Sequence, residues 1–327
     1  MWVVFLLVVT ASVWWMTAMP GRSHSGPLTP LSEAEHELRE RLQRHVRTLA
    51  GEIGERNVFR PEALAYSARY LEERLRESGH TVRREAFTAA SVDVHNLVVE
   101  RRGATRPDEI VVVGAHYDSV MGSPGANDNA TGTAALLEIA RSLATQQPVR
   151  TVRCVFFVNE EPPFYLTEEM GSLVHALGAG QRGEKIVAML SIETIGYYTD
   201  RERSQHYPFP FGLLYPSKGD FVGFVGNLGS RSLVRRTIGS FRRAGAFPSE
   251  GLAAPGWIPG VGWSDHWSFW QEGYPAVMVT DTAVFRYGPY HTREDTPDKV
   301  IYDRLARVVG GLERVMADLA GMDGAGR

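Results

Sequence analysis

Apolar runs alternate with amphipathic helical segments along most of this 327-residue chain, and this alternation constrains its fold more than any other feature. Several of the runs are apolar throughout, which is typical of strands that are buried on both faces of a sheet. Helices must then cover each side of that sheet. The pattern predicts an α/β fold, a three-layer α/β/α sandwich around a central mixed, mostly parallel sheet. The clearest predicted strands are EIVVVGAH, TVRCVFFV, KIVAMLSIETIGYY and PAVMVTD.

The N-terminus is a second strong signal, because residues 1–19 carry no charged side chain and are almost wholly apolar. Such a run suits a transmembrane helix or the core of a signal peptide. It lacks a positive leading segment and a clear cleavage site, and the pair Trp14-Trp15 would suit the edge of a bilayer. We therefore expect a membrane anchor or a signal peptide at 1–19, with a buried helix as the third alternative.

The segment PGRSHSGPLTP predicts a linker at 20–30, which is followed by one domain at 31–323. The nearest basic residue, Arg22, follows the apolar run, and the positive-inside rule would then keep the domain inside. Our expectation is nevertheless a membrane-anchored or exported domain on the periplasmic or extracellular side.

Charge and cysteine content exclude several functions. The formal net charge is −3 and no basic run is present, which argues against a nucleic-acid partner because phosphate binding needs clustered lysine and arginine. One cysteine, Cys154, cannot form an intrachain disulfide framework or a cysteine-based zinc site. Its apolar neighbours predict a buried, unreactive thiol.

Five potential metal ligands lie along the chain, most of them where a strand-like run ends in a loop rich in glycine, proline or asparagine. In open α/β sheets, ligands bind beyond the carboxyl ends of the strands. Two divalent ions about 3.5–4 Å apart can share one carboxylate. Two such ions, three carboxylates and one hydroxide sum to zero charge, so the group can lie in a partly dry pocket. The predicted ligands are His116, Asp128, Glu161, Glu193 and His291, with Asp128 as the bridge.

The ligand types favour zinc, with two ions per chain, although cobalt or manganese would also fit histidine and carboxylate ligands. His266 is the alternative to His291 as a ligand, and we expect Asp265 and His266 to lie just outside the ligand shell. The remaining histidines have no such partners and are predicted to be surface or packing residues: His24, His36, His45, His80, His95, His175 and His206.

Three further side chains have predicted catalytic roles. Adjacent side chains that leave a strand point in different directions, so Glu161 can bind metal while Glu160 faces the attacking water as general base. Asp118 lies two residues after His116 and could accept its other ring N–H, which fixes the tautomer. Tyr290 could donate its phenol to the oxyanion of a tetrahedral intermediate.

These motifs resemble the M28-type zinc aminopeptidases, which are related to secreted bacterial leucine aminopeptidases. The resemblance extends from Ile110 to Pro297 through GAHYDSV, PGANDNATGTAALLE, FFVNEE, IETIGYY, SDHWSFW and YHTREDT. It implies a zinc exopeptidase-like fold, a peptide substrate, and the same ligands, base and oxyanion donor. Two features depart from the family: Glu193 stands where many members have aspartate, and Pro162-Pro163 begins a longer turn after the glutamate pair.

Other functions remain open on the sequence. A glutaminyl cyclase shares the fold and much of the motif set, although such enzymes have tryptophan where Tyr290 stands. A related carboxypeptidase would need a basic residue for the substrate carboxylate, and Arg286 or Arg293 could supply it. An inactive binding domain would be expected to have lost a ligand or the base. The long loops 197–220 and 246–263 are predicted to wall a substrate pocket.

Overall fold

The computed structural model describes residues 1–244 and 247–322. The predicted domain limit at Asp323 and the predicted loop start at Ala246 lie outside the described residues. The helices are α1 (Trp2–Thr17), α2 (Glu33–Val46), α3 (Pro61–Glu77), α4 (Gly132–Leu143), α5 (Gly171–Gln181), α6 (Arg231–Ala244), α7 (His266–Gln271) and α8 (Tyr302–Ala320). The strands are β1 (Arg83–Ala89), β2 (Val92–Arg101), β3 (Arg106–His116), β4 (Arg150–Phe157), β5 (Lys185–Glu193), β6 (Val222–Gly226), β7 (Ser249–Ala253) and β8 (Ala276–Thr280).

Within the described chain, these strands form one mixed sheet in the order β1-β2-β4-β3-β5-β8-β6-β7. The central strands β4, β3, β5 and β8 run parallel to one another, and β6 pairs parallel to β7. Antiparallel pairs join β1 to β2, β2 to β4, and β6 to β8. The carboxyl ends of the central strands therefore meet at one edge of the sheet, as the sequence predicts for the ligand positions.

Alternate residues of the strands face two separate cores, which makes the molecule three layers deep. On β3, Val111 and Val113 belong to the larger core, which is covered by residues of α2, α3, α4, α6 and α8. Ile110 and Val112 face the opposite side and pack with residues of α5 and α7. Burial on both faces explains why β3 is continuously apolar from Ile110 to Ala115, and the two cores confirm the predicted sandwich.

Two elements differ from the sequence prediction. The predicted strand that continues to residue 198 ends at Glu193, and Thr194 follows with a φ of 41° outside the extended region. The predicted loop 246–263 contains strand β7, which pairs with β6 at the edge of the sheet. The sequence of β7, SEGLA, has little strand propensity, so its pairing with β6 and not its local preference decides this element.

The N-terminal apolar run forms α1, and the residues after it lie against α6 and β7. Arg231 donates from Nε to the Trp15 carbonyl oxygen at 2.8 Å, and its guanidinium lies 4.3 Å from the Trp15 ring centroid. The backbone N–H of Ser249 donates to Ser23 Oγ at 2.8 Å. The position at which α1 joins the domain is therefore held by specific contacts.

Among the residues that the structure describes, no helix has both the length and the apolarity needed to cross a membrane.

Candidate metal centre

The five predicted ligands converge on the carboxyl edge of the central strands. His116 and Glu193 are the last residues of β3 and β5. Glu161 follows β4, Asp128 lies in the loop before α4, and His291 lies between β8 and α8. Strands β4, β3 and β5 are neighbours, so their ends bring together side chains that are far apart in the sequence.

Asp128 lies at the middle of the group, with one carboxylate oxygen toward each histidine. Asp128 Oδ1 is 3.3 Å from His116 Nε2, and Oδ2 is 3.0 Å from His291 Nε2. Each histidine has a second carboxylate beside it: Glu193 Oε2 is 3.3 Å from His116 Nε2, and Glu161 Oε2 is 3.2 Å from His291 Nε2. The result is two similar half-sites that share one aspartate.

The unpaired atoms of this group fit a bound metal. Both oxygens of Asp128, both ring nitrogens of His116, and Nε2 of His291 are buried and make no hydrogen bond within the described structure. Buried polar atoms without partners are uncommon in native proteins. Ligand atoms of His116, Asp128 and Glu161 lie within 4.8 Å of one another. Because the donors are imidazole and carboxylate with no thiolate, zinc is the metal that this set suits best.

The pKa values of the group indicate that some of its side chains hold protons that a bound cation would displace. Burial and the charge of Asp128 raise the pKa of Glu161 to about 7, and burial raises the pKa of Glu193. Burial lowers the pKa of His291, but Asp128 and Glu161 outweigh it and raise this pKa to about 10. Metal binding at such groups releases protons, so the affinity for metal should increase with pH.

Asp118 connects the two predicted half-sites through the backbone. Its Oδ1 accepts a hydrogen bond from the Glu160 N–H at 3.3 Å, and its Oδ2 accepts one from the Glu161 N–H at 3.2 Å. Asp118 Oδ1 also lies 3.5 Å from His116 Nδ1. One carboxylate thus holds both members of the glutamate pair and lies beside His116, and its predicted role in fixing the histidine tautomer stays a prediction.

The predicted base and the predicted oxyanion donor each lie beside one of the two histidines. Glu160 is buried, its Oε2 lies 3.8 Å from His116 Nε2, and burial raises its pKa well above the usual range of a glutamate. The Tyr290 ring is stacked on His291 with centroids 3.8 Å apart. Burial and the nearby carboxylates raise the pKa of Tyr290, so its hydroxyl stays protonated and able to donate.

Asp295 is a structural residue of the site that the sequence did not reveal. Its Oδ1 accepts hydrogen bonds from the Asn127 N–H and the Tyr287 hydroxyl, both at 2.8 Å. Its Oδ2 accepts one from the Asp128 N–H at 3.1 Å. These contacts hold the loop that carries the shared aspartate against the loop that carries His291. The only available signal was that Asp295 lies four residues after His291, and this spacing has no specific meaning.

Arg56 and Ser264 also support the ligands and were not predicted. Arg56 is fully buried and donates to backbone oxygens that include those of Tyr117 at 2.7 Å and Gly125 at 2.8 Å. Burial lowers its pKa to about 10. Arg56 therefore braces the loop between His116 and Asp128 through these backbone contacts. Ser264 Oγ donates to Glu193 Oε2 at 2.7 Å and fixes that carboxylate.

His266 and Cys154 have packing roles. His266 Nε2 lies 2.8 Å from the Val261 carbonyl oxygen, and its ring meets Trp270 edge-on at 4.5 Å. Burial lowers the pKa of His266 to about 4, so the ring is neutral. Cys154 is free and buried, as predicted, and burial raises its pKa to about 12.

An apolar cavity opens beside the metal group, and residues of both long loops line it. Glu193 and Tyr290 are among its lining residues. Tyr207 and Phe211 come from the first long loop, and Ile258 comes from the second. The predicted role of these loops as pocket walls agrees with this arrangement.

Comparison with known proteins gives the family. The sequence model of peptidase family M28 matches residues 96–315 of this chain. The uncharacterized protein YfbL of Escherichia coli is 36% identical over 307 residues, which are 91% of this chain and 90% of that protein. An aminopeptidase of Pseudomonas aeruginosa is 35% identical over 161 residues, which are 49% of this chain and 27% of that longer protein.

Solved structures share the fold at low sequence identity. The zinc aminopeptidase BSAP of Bacillus subtilis has a TM-score of 0.67 and 15% identity, with 86% of this chain and 95% of that chain covered. A glutaminyl cyclase of Fimbriiglobus ruber has a TM-score of 0.63 and 20% identity, with 91% and 98% covered. With the sandwich and the paired half-sites at its carboxyl edge, the family match shows that this chain belongs to peptidase family M28.

Proposed function

We propose that the chain is a zinc aminopeptidase that removes N-terminal residues from peptides, with two metal ions at the site. The position of Asp128 is the observation that carries this proposal. Its Oδ1 lies 3.3 Å from His116 Nε2, and its Oδ2 lies 3.0 Å from His291 Nε2. Each half-site supplies one histidine and one further glutamate, so the ligand set is nearly symmetric. A shared carboxylate between two such half-sites is what a pair of ions requires.

Zinc, when bound, would polarise the scissile carbonyl and make water a better nucleophile. The side chains of this chain supply proton transfer, a donor to the oxyanion, and positioning. Glu160 takes a proton from the attacking water and passes it to the leaving amine, a task that suits a carboxylate whose pKa is raised by burial. Tyr290 donates its hydroxyl to the developing oxyanion. Asp118 holds the glutamate pair in position through two backbone N–H groups.

The basic residues near the site favour an aminopeptidase over a carboxypeptidase. Arg286 is buried and donates to the carbonyl oxygens of Gly219 and Phe221, at 3.1 and 2.8 Å. Arg293 is exposed, and neither arginine lines the cavity in the described chain. A substrate carboxylate would therefore have no cation to bind inside the cavity.

Chelation should abolish the activity of this protein. With the full-length chain and a leucyl chromogenic substrate, we expect turnover to fall by roughly a hundredfold or more after chelator treatment, because the water and the carbonyl lose their activating cation. Added zinc should restore it. Metal analysis of freshly purified protein should give two ions per chain.

The same assay separates the competing functions. Turnover restricted to peptides with N-terminal glutamine, with one ion per chain, would favour a cyclase. Release of C-terminal residues alone would favour a carboxypeptidase. Activity that survives complete metal removal would contradict the proposal.

We also propose that α1 attaches the enzyme to a membrane on the exported side. Its side chains at Val4, Leu7 and Trp14 are 64%, 64% and 67% exposed, so the domain does not cover them. Fractionation of cells that produce the full-length chain measures membrane attachment. Protease added to intact cells, or to cells with an opened outer membrane, then reports on which side the domain lies.

We expect the native chain in the membrane fraction and the double variant Leu7→Arg, Val8→Arg in the soluble fraction, because a charge in an apolar segment opposes its transfer into lipid. Tyr66→Arg, an exposed position on α3, is the matched control and should change nothing. A native chain found only in the soluble fraction would overturn the membrane proposal.

A further inference from the structure

We propose that Glu250 makes the cavity selective for substrates whose N-terminal residue is lysine or arginine, a cation at the end of an apolar stem. The inference rests on the proposed aminopeptidase function and names its substrate class.

The cavity runs from the metal group to β7. Glu193 and Tyr290 line it at the catalytic end, and Glu250, on β7, lines it elsewhere. The wall also includes apolar residues, among them Phe211, Leu252, Ile258, Val261 and Met278. Such a wall suits the hydrocarbon stem of a long side chain.

Glu250 and Glu193 are the charged residues of this wall, and no lysine, arginine or histidine lines it within the described chain. Glu193 is committed to His116 and Ser264. Glu250 therefore supplies a negative charge that the metal group does not use. A cavity with one available carboxylate and no cation favours a positively charged ligand group.

The neighbours of Glu250 leave its carboxylate without a hydrogen bond in the described structure. Tyr207 and Tyr215 line the same cavity, but their hydroxyls donate to the carbonyl oxygens of Pro216 and Gly251, at 2.6 and 2.7 Å. A bound cation would therefore meet no competing donor from these two rings.

Arg242 forms a long ion pair with Glu250 and donates its hydrogen bonds to other groups. Its Nη2 lies 3.9 Å from Glu250 Oε2 but donates to the Ser249 carbonyl oxygen at 2.7 Å. Its Nη1 donates to the Pro20 carbonyl oxygen at 3.2 Å. Burial raises the pKa of Glu250, and the Arg242 guanidinium only partly opposes this effect.

Lysine and arginine side chains would complete this arrangement. Their stems would lie along the apolar wall, and their charged groups would reach Glu250. A neutral side chain would leave the carboxylate desolvated without a partner, and an acidic one would be repelled. Discrimination would thus come from one ion pair and not from the shape of the cavity.

The test compares lysyl, arginyl, norleucyl and glutamyl chromogenic substrates with the full-length, zinc-loaded enzyme. Norleucine has nearly the same stem as lysine without the charge, so the ratio of kcat/KM for lysyl over norleucyl isolates the charge. We expect a ratio of about 10–100, the usual range for one added pocket contact. Glu250→Gln should bring the ratio close to one, and Glu250→Lys should favour the glutamyl substrate.

Glu62→Gln, at an exposed position on α3, is the matched control and should keep the native ratio. Native enzyme that cleaves norleucyl substrate as well as lysyl substrate would overturn the inference and leave the aminopeptidase proposal intact. An unchanged ratio in a folded, zinc-loaded Glu250→Gln variant would overturn it as well. Absence of turnover with every free-amine substrate would overturn both proposals.

Discussion

Glu160→Gln should lower kcat by about 10²–10⁴-fold, the usual contribution of a general base, while both metal ions are retained. Glutamine has the same shape as glutamate but cannot accept the proton of the attacking water at neutral pH. The ligands are untouched, because Glu160 lies 3.8 Å from His116 Nε2, farther than Glu193 or Asp128. The measurement is steady-state kinetics together with metal analysis of the same preparation.

Glu168→Gln is the control for this variant. Glu168 lies in the loop that follows the glutamate pair, and its side chain is exposed. It should retain native kcat and metal content. If Glu160→Gln instead loses metal and Glu161→Gln retains it, the two glutamates have exchanged roles, and the assignment of the base is wrong.

Asp128→Ala should lose both metal ions and all measurable activity. The carboxylate is buried, and each of its oxygens faces a different histidine, so its removal takes one ligand from each half-site. Loss of a residue that supports a ligand usually lowers metal affinity by about 10–100-fold. Loss of the ligand itself should cost more, so we expect the affinity for each ion to fall by at least about a hundredfold. Equilibrium dialysis with zinc measures this directly.

Thermal unfolding gives a second measure that does not depend on activity. Zinc stabilises any protein that binds it only in the folded state, so chelator should lower the Tm of the native protein and leave that of Asp128→Ala unchanged. Asp295→Asn is a useful comparison, since it loosens the loop that carries Asp128 without removing a ligand. A folded Asp128→Ala variant that still held one ion tightly would contradict the shared aspartate.

Local patterns in the sequence predict most of the sheet and the ligand set. Strand β3 is apolar from Ile110 to Ala115 because both of its faces are buried there, and that burial is visible as composition without any knowledge of the partners. The ends of such strands meet at one edge, so His116 and Glu193 could be placed together from their position in their own strands. Glu160 and Glu161 could be given different roles because adjacent side chains diverge.

The sequence determined the fold class, the residues that meet at the carboxyl edge, and the kind of metal that they suit, because these follow from periodicity and side-chain chemistry within short segments. Only the tertiary structure decided the rest: that β7 pairs at the sheet edge, that Arg56 and Asp295 brace the loops around Asp128, and that Glu250 lines the cavity with a long ion pair to Arg242. Each of these depends on contacts between segments far apart in the chain. No local pattern encodes such contacts, since the sequence neighbours of an arginine do not show whether it braces a buried loop or faces solvent.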